Sequence, residues 1–543
     1  MKLTRREFII GGAASVCVAG MGAAFDRFAP QKSAPGSIRG ANSATGHKLR
    51  TGEFPAPSKV LQKEVVIVGG GIAGLAAGYR LHKSGCRDFQ LLELEHMVGG
   101  NSASGRNEVS AYPWGAHYVP LLTEEATEVR QLFEELGVIT GYDDAGRPLY
   151  NDYYLCADPH ERLYRYGRWQ DGLIPALGVG AEEEAQYKRF FDFMESLKNR
   201  KGSDGKRLFA IPVDKSSQDE EWLKLDEITM AEWMAREGYD SPHLCWYVNY
   251  CCRDDYGATM AETSAWAGLH YFASRNGTAA NAEPGDVITW PEGNGWIASK
   301  LAEPLESRIT TGALVHAVTD QGDHVTVDYW DQATHRSTRI IARTVVVATP
   351  RFVASRLMQS EKWSCSADGF SWSPWAVANV TLSKLPSGKG APLSWDNVVY
   401  GSPLLGFVVA THQIPQMRPL KTVLTCYWPL SHLDPADARK EALRRSHAEW
   451  RQIFLKELLK VHPELDGHVE QVDVWVWGHA MIRPMRGFLW GDARKQALRQ
   501  QPPIFTAHSD LSGISIFEEA CTHGVRAAGQ VLAYLGIPSR SQA

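Results

Sequence analysis

Apolar and polar residues alternate with two different periods along this chain, and these periods predict its elements. Short apolar runs at residues 64–68 and 89–93 predict strands, and the helical spacing at 75–84 predicts a helix between them. Helical spacing recurs at residues 124–136, 182–197, 229–237, 241–250 and 517–535. Strand patterns recur at residues 309–318, 376–382, 397–400, 406–411 and 422–428. The succession of strands and helices predicts an α/β fold.

The first strand and helix are joined by glycines with the spacing Gly-x-Gly-x-x-Gly, which is typical of dinucleotide-binding βαβ units. The chain must turn sharply there and approach a diphosphate, which the free amides at the start of the helix would face. Glu93 ends the second strand, 19 residues after Gly74, where a carboxylate would accept the hydroxyls of the adenosine ribose. The unit could serve NAD or FAD. Its predicted ligands are Gly69, Gly71, Ile72, Ala73, Gly74 and Glu93.

Two further segments favour FAD. Val98-Gly99-Gly100-Asn101-Ser102 follows the acid directly, and Pro113-Trp114-Gly115-Ala116-His117-Tyr118 comes soon after it. Together they resemble the FAD-binding amine oxidase and phytoene desaturase superfamily, in which the Gly-Gly pair is usually followed by arginine and a Gly-Ala pair runs behind the flavin. Asn101 stands where that arginine is expected. The resemblance implies that Gly99, Gly100, Asn101, Gly115 and Ala116 bind FAD.

The C-terminal part carries the closing motif of the same superfamily. His508-Ser509-Asp510-Leu511-Ser512-Gly513 precedes the predicted helix at 517–535, whose N-terminus would stabilise the reduced, anionic flavin. Residues 290–296 and 344–350 resemble the active-site loop and the last strand of the nucleotide domain. The resemblance implies that Asp510 and Ser512 bind FAD near its ribityl chain and that the backbone of Val315 meets the adenine.

Length and composition fit a large protein of two interleaved domains, since 543 residues with 44% apolar content can bury a large core. We therefore predict a Rossmann-like FAD-binding domain interleaved with a substrate domain of mixed sheet plus helices. The predicted FAD-binding parts are residues 61–125, 286–352 and 481–543; the substrate domain has a helical part at 126–285 and a sheet part at 353–480. A net charge of −5 without a dense basic block excludes a nucleic-acid partner. The nine cysteines form no C-x-x-C pair, so no metal site is predicted.

The N-terminus resembles an export signal. Arg5 and Arg6 form a twin-arginine pair, and a weakly apolar, glycine- and alanine-rich run follows to residue 24. We expect residues 1–24 to direct the folded protein through the twin-arginine translocation machinery to the periplasm, and residues 25–60, rich in serine, alanine, glycine and proline, to form a linker.

The expected activity is that of an FAD-dependent oxidoreductase which removes hydride equivalents from a small organic substrate, most plausibly at an amine C–N bond, and passes electrons to a quinone, a redox protein or oxygen. His117 and His479 are the candidate catalytic residues, because each lies next to a predicted flavin segment. Relatives often hold a lysine on a strand like 376–382, but Ala378 or Asn379 stands there, which favours a dehydrogenase. Two alternatives stay open: a C–C desaturase of an apolar or isoprenoid substrate, and a flavin-binding protein without turnover.

Overall fold

A computed structural model describes residues 34–360, 363–414 and 419–538. The predicted signal at residues 1–24 lies outside these ranges. Among the described helices, none combines the length and the apolar character that crossing a bilayer requires.

A seven-stranded sheet forms the first layer. Its strands run in the order Ile309–Thr310, Phe89–Leu92, Pro57–Val68, Arg336–Val347, Val325–Asp331 and Ala313–Asp320, and Ile504–Thr506 pairs with the end of Arg336–Val347. The strands on the Phe89–Leu92 side are parallel, and the last two are antiparallel. The helices Ile72–Lys83, Gly295–Ala302 and Phe517–Leu535 contribute to the apolar core that covers one face.

An eight-stranded sheet forms the second layer. Its order is Ile38–Gly40, Val469–Ile482, Trp372–Leu382, Thr422–Pro429, Gly406–Val409, Asp396–Val399, Glu161–Arg165 and Arg168–Asp171. The helices Pro435–Arg444 and His447–Val461 share an apolar core with the sheet, and Pro242–Tyr256 shares a second core with it. Pro242–Tyr256 packs in turn with the helices Ala181–Lys198, Met230–Arg236 and Ala265–Ala273.

The remaining elements are short. The helices are Ser43–Gly46, Thr127–Glu135, Glu220–Leu223, Arg351–Leu357 and Asp492–Ala497. The strands pair as Ser104–Arg106 with Ala111–Pro113, Tyr118–Pro120 with Val287–Thr289, Ile139–Tyr142 with Pro148–Tyr150, and Gln359–Ser360 with Trp363–Ser364.

Most predicted elements are confirmed, and one has the predicted bounds at both ends. The helix predicted at 517–535 is Phe517–Leu535, and the strand predicted at 422–428 is Thr422–Pro429. The linker prediction for 25–60 is wrong within its described part, because Ile38–Gly40 and Pro57–Val68 are strands hydrogen-bonded into the two sheets. The helical prediction for 126–285 omitted the hairpin of Glu161–Arg165 and Arg168–Asp171, which extends the eight-stranded sheet.

Candidate active site

A cavity of about 810 Å³ draws its lining from both sheets and from the helical layer. This volume is within the range of about 300–1,000 Å³ that is usual for ligand pockets. Most of the residues predicted as ligands or catalytic groups contribute to its wall: Gly69, Gly71, Ile72, Ala73, Glu93, Gly99, Gly100, Asn101, Gly115, Ala116, His117, Val315, His479 and Asp510. Gly74 and Ser512 are not among the lining residues.

The three glycines of the turn have different physical roles. Gly69 has φ of +106°, and a Cβ there would lie 2.5 Å from the carbonyl oxygen of Ala348. A Cβ on Gly74 would lie 1.9 Å from the carbonyl oxygen of Gly69, so this glycine allows the helix to pack against the turn. A Cβ on Gly71 would meet nothing nearer than Gly100 Cα, at 3.9 Å. The space beside Gly71 is therefore open, as a bound diphosphate requires.

Glu93 is held in place by backbone amides. Its carboxylate accepts hydrogen bonds from the amides of Gly70, at 2.6 Å, and Glu95, at 2.8 Å. Burial raises the pKa of Glu93 to about 7. A Cβ on Gly70 would lie 2.9 Å from the carboxylate oxygen, so Gly70 has a steric role that the sequence analysis did not assign.

The Gly-Gly and Gly-Ala segments pack against each other. The amide of Ala116 donates to the carbonyl oxygen of Asn101 at 2.8 Å, and a Cβ on Gly115 would lie 2.4 Å from the same oxygen. The side-chain amide of Asn101 donates to the carbonyl of Ala480. Asn101 thus ties the segment after Glu93 to the strand Val469–Ile482, and it brings no charge to the cavity.

Asp510 is buried, and three groups hold its carboxylate. It accepts from the amide of Arg351 at 2.7 Å and from the indole nitrogen of Trp372 at 3.1 Å, and it lies 3.2 Å from Nδ1 of His508. Burial alone would raise the pKa of Asp510, but His508 and the donated hydrogen bonds outweigh it and lower that pKa. Asp510 therefore stays ionised at the cavity wall.

The contact of Ser512 with FAD stays a prediction, because Ser512 does not line the cavity and its hydroxyl is engaged by other side chains. Its hydroxyl donates to Glu519 and makes a 2.8 Å hydrogen bond with Nε2 of His523, both on the helix Phe517–Leu535. Ser512 is 3% exposed and fixes the start of this helix. Residues on either side of the helix start, from Ser515 to Ala520, line the cavity, so the N-terminus of the helix meets the cavity as predicted.

Aromatic side chains form much of the wall. The ring of His117 stacks on that of Tyr427 with centroids 4.7 Å apart, and the hydroxyl of Tyr427 donates to the carbonyl oxygen of Gly115 at 3.1 Å. The indole nitrogen of Trp477 donates to the carbonyl oxygen of Trp114 at 2.8 Å. These hydrogen bonds fix the rings against the Gly-Ala segment.

The two candidate histidines both line the cavity, but their environments differ. Burial lowers the pKa of His117 to about 4. Burial, together with Arg439 and Arg50, lowers the pKa of His479 to about 3, and its ring stacks on that of Phe352 at 4.1 Å. Both rings are neutral at neutral pH and are weak proton acceptors, because an effective general base has a pKa near the working pH. Their catalytic role stays a prediction.

A charged group that the sequence analysis did not single out lines another part of the wall. Asp255 forms an ion pair of 2.5 Å with Arg275, while the carboxylate of Asp254 beside it forms no ion pair within the described ranges. Burial, and to a smaller extent the charge of Asp255, raises the pKa of Asp254 to about 7. Glu518, at the start of the last helix, is buried there as well, and burial raises its pKa to about 7. The only sequence signal was the adjacent pair of acids at the end of a helix rich in aromatic residues.

The lining fits a dinucleotide such as FAD. The Gly71 cradle is open, Glu93 lies at the wall, and a helix N-terminus lies on either side, at Ile72 and at Phe517. The hydroxyl of Thr349 and the indole nitrogen of Trp375 have no hydrogen-bond partner among the described residues although both are buried. These groups could donate to a bound cofactor.

Comparison with known proteins decides the family. The sequence profile of flavin-containing amine oxidoreductases matches residues 72–532. The chain belongs to this family. Membership confirms the predicted resemblance, the α/β fold, the FAD cofactor and the class of FAD-dependent oxidoreductase. The amine oxidoreductase profile begins at the helix after the glycine turn and ends within the last helix.

Individual relatives of this chain are distant. Flavin-containing amine oxidase B of Sus scrofa is 24% identical over 297 residues, which is 51% of this chain and 49% of that protein. Mitochondrial dimethylglycine dehydrogenase of Rattus norvegicus is 30% identical over 113 residues, 20% of this chain and 13% of that protein. The chain thus matches at most about half the length of these two relatives. A solved structure of a putrescine oxidase double mutant, with 17% identity and a TM-score of 0.64, covers 87% of this chain and 100% of its own, and shows the shared fold.

Proposed function

We propose that this protein oxidises a small amine at the C–N bond. The observation that carries the proposal is the carboxylate of Asp254, which lines the cavity without an ion-pair partner in the described part of the chain, beside the Asp255–Arg275 pair and Glu518. Arg275 is paired with Asp255, and the charges of Arg275 and Arg253 do not outweigh the burial that raises the pKa of Asp254. An organic ammonium ion supplies the missing positive charge.

The pKa of Asp254 also suits the proton chemistry of an amine. FAD, when bound, would supply the two-electron oxidation in which the C–H bond beside nitrogen gives up a hydride equivalent and the C–N single bond becomes a double bond. That nitrogen must first lose its ammonium proton so that its lone pair is free. A carboxylate with a pKa of about 7, as burial gives Asp254, can accept this proton near neutral pH.

The aromatic wall has a separate role. The ring of His117 stacks on that of Tyr427, whose hydroxyl donates to the carbonyl oxygen of Gly115. The indole of Trp477 donates to the carbonyl oxygen of Trp114. These contacts fix the three rings. Such rings exclude water from the reacting bond and accept a cation on their faces. They therefore bind a substrate with a charged nitrogen and an apolar body.

The test is an anaerobic panel of amines, amino acids and polyenes, mixed with the purified holoprotein. Bleaching of the flavin absorbance by one or more amines is the expected result. Bleaching by polyenes alone would overturn the proposal in favour of C–C desaturation. A flavin that no compound in a broad panel bleaches, but that dithionite does, would favour a binding protein without turnover.

We also propose that the reduced flavin transfers electrons more readily to a quinone or a redox protein than to oxygen. A separate proposal is that the protein is exported through the twin-arginine route. The first proposal rests on the strand Trp372–Leu382, from which Trp372, Trp375 and Val377 line the cavity and which carries no lysine. The second rests on Arg5 and Arg6.

A further inference from the structure

The segment of residues 34–50, called the strap here, connects the two layers across the cavity. Its first half joins the eight-stranded sheet, because Ile38–Gly40 pairs with Val469–Ile482. Arg39 forms an ion pair of 3.1 Å with the buried carboxylate of Asp473. The second half of the strap consists of two short helical turns, Ser43–Gly46 and His47–Arg50.

The second half of the strap is tied to the nucleotide side of the molecule. The amide of Asn42 donates to the carboxylate of Glu95 at 2.8 Å, two residues after the acid of the βαβ unit. The side chains of Asn42 and Thr45 both donate to the side-chain oxygen of Gln332, at 2.7 and 3.2 Å. Gln332 in turn donates to the carbonyl oxygen of Leu94 at 2.5 Å. The strap is thus held at both ends by parts of the chain far from it in sequence.

Between these anchors the strap forms part of the cavity wall. Its lining residues are Ala41, Asn42, Ser43, Gly46, His47, Leu49 and Arg50. Arg356 and Arg439, from two different helices, line the cavity as well. Neither Arg50 nor Arg356 forms an ion pair with any residue in the described ranges. Positive charges from three elements therefore meet at one wall, and no carboxylate from the described part of the chain pairs with Arg50 or Arg356.

We propose that the strap holds FAD in its site and that Arg50, together with Arg356, balances the charge of the FAD diphosphate. The segment that follows Glu93 supplies no charge for this purpose, because Asn101 stands there and its amide is engaged by Ala480. An arginine outside the βαβ unit can supply the cation instead, because two N–H groups of one guanidinium can bind two oxygens of a phosphate at once.

Arg50→Gln tests the counterion. The exposed position of Arg50 allows this variant to fold. We expect FAD to leave the holoprotein about 3- to 10-fold faster, as one charge-assisted contact is lost. The rate is read from the recovery of flavin fluorescence after dilution into mild urea. The difference in release rate between the variant and wild type should shrink in 1 M salt, because charges more than about 3 Å apart are then largely screened. Arg50→Lys should restore part of the slow release.

Gln332→Ala tests the anchor, because Gln332 does not line the cavity and its side chain ties Asn42 and Thr45 of the strap to the carbonyl oxygen of Leu94. Faster flavin release that does not depend on salt is the expected result. Gln321→Ala is the matched control, since Gln321 lies in the turn at the other end of the strand Val325–Asp331 and its side chain bonds to Thr326 and not to the strap. The proposal fails if Arg50→Gln and Gln332→Ala both release flavin at the rate of the control, or if the Arg50→Gln effect is equal at low and high salt.

Discussion

At the scale of single residues, the charge of the cavity depends on a few carboxylates whose protonation changes near neutral pH. Burial raises the pKa values of Glu93, Asp254 and Glu518 to about 7, whereas Asp510 keeps a lowered pKa because it accepts hydrogen bonds from fixed donors. The wall is therefore more negative above pH 7 than below it, so its affinity for a cation is higher above pH 7.

Asp254→Asn tests this dependence. The wild-type carboxylate is protonated below its pKa of about 7, so binding of an ammonium substrate should strengthen as pH rises through 7. The variant should bind the substrate about 10- to 100-fold more weakly and show a smaller rise, to which Glu518 still contributes, because it loses a charge-assisted contact. Anaerobic flavin reduction, followed against substrate concentration between pH 5.5 and 8.5, gives the dissociation constant. Asp144→Asn, in an exposed turn, is the control; an unchanged pH profile in Asp254→Asn would remove Asp254 from the site.

Residues with a local signature were predictable, and residues brought together by folding were not. The glycines and Glu93 belong to one short motif whose spacing is set by the βαβ geometry. Asp254 and Arg275 lie in the helical layer, and nothing in their own neighbourhood indicates that they face a cofactor cavity. Ser512 was predicted from its place in a motif, but its hydroxyl is bound by Glu519.

At the scale of elements, the helix Phe517–Leu535 begins at the cavity and carries buried acids in its first turn, Glu518 and Glu519. Carboxylates are favourable near a helix N-terminus, yet burial outweighs this benefit and raises the pKa values of both to about 7. A group whose pKa is higher in the folded than in the unfolded chain stabilises the fold at low pH, and this stabilisation is lost as pH rises through 7.

We predict that Glu518→Gln removes part of this pH dependence. At pH 8 the ionised Glu518 is costly to bury, so the melting temperature of the variant should exceed that of wild type by about 1 °C for each kcal/mol gained, while at pH 5 the two should differ little. Melting temperatures of the holoprotein, followed by circular dichroism, provide the measurement. Glu184→Gln changes an exposed glutamate in the first turn of another helix and should have no such effect. A larger gain at pH 5 than at pH 8 would contradict the argument.

Elements with regular periodicity were predicted well, and elements stabilised by distant partners were missed. The helix at 517–535 shows a clear apolar stripe, so its bounds follow from sequence. Ile38–Gly40 has only three residues in a glycine- and serine-rich stretch, and it is a strand because Val469–Ile482 offers it an edge. The hairpin at Glu161–Arg165 and Arg168–Asp171 depends in the same way on Asp396–Val399.

At the scale of the whole molecule, the seven-stranded sheet is built from three separated parts of the chain, at residues 57–92, 309–347 and 504–506. The cofactor site exists only when these parts have met, so cofactor binding and complete folding are linked. This linkage suits an export route that carries folded proteins.

The export proposal leads to a direct prediction. Replacing Arg5 and Arg6 by lysine should keep the protein in the cytoplasm with its flavin bound, because the translocation receptor reads arginine while the fold begins well beyond these residues. Cell fractionation with immunoblotting, and the flavin absorbance of the purified variant, give the two readouts. A Lys-Lys variant that reaches the periplasm would refute the twin-arginine assignment.

The long strand Arg336–Val347 has a consequence for the time course of biosynthesis. It pairs with Pro57–Val68 on one side and with Ile504–Thr506 on the other. The two strands Arg336–Val347 and Ile504–Thr506 are separated by 157 residues, so at a translation rate of about 5–20 residues per second roughly 8 to 30 seconds pass between their synthesis. Throughout that interval the edge of residues 345–347 that Ile504–Thr506 later covers is unpaired on the nascent chain, which invites pairing with other chains. Slowing the ribosome between residues 347 and 504 should therefore increase aggregation of this protein, and holdase chaperones that cover the open edge should reduce it.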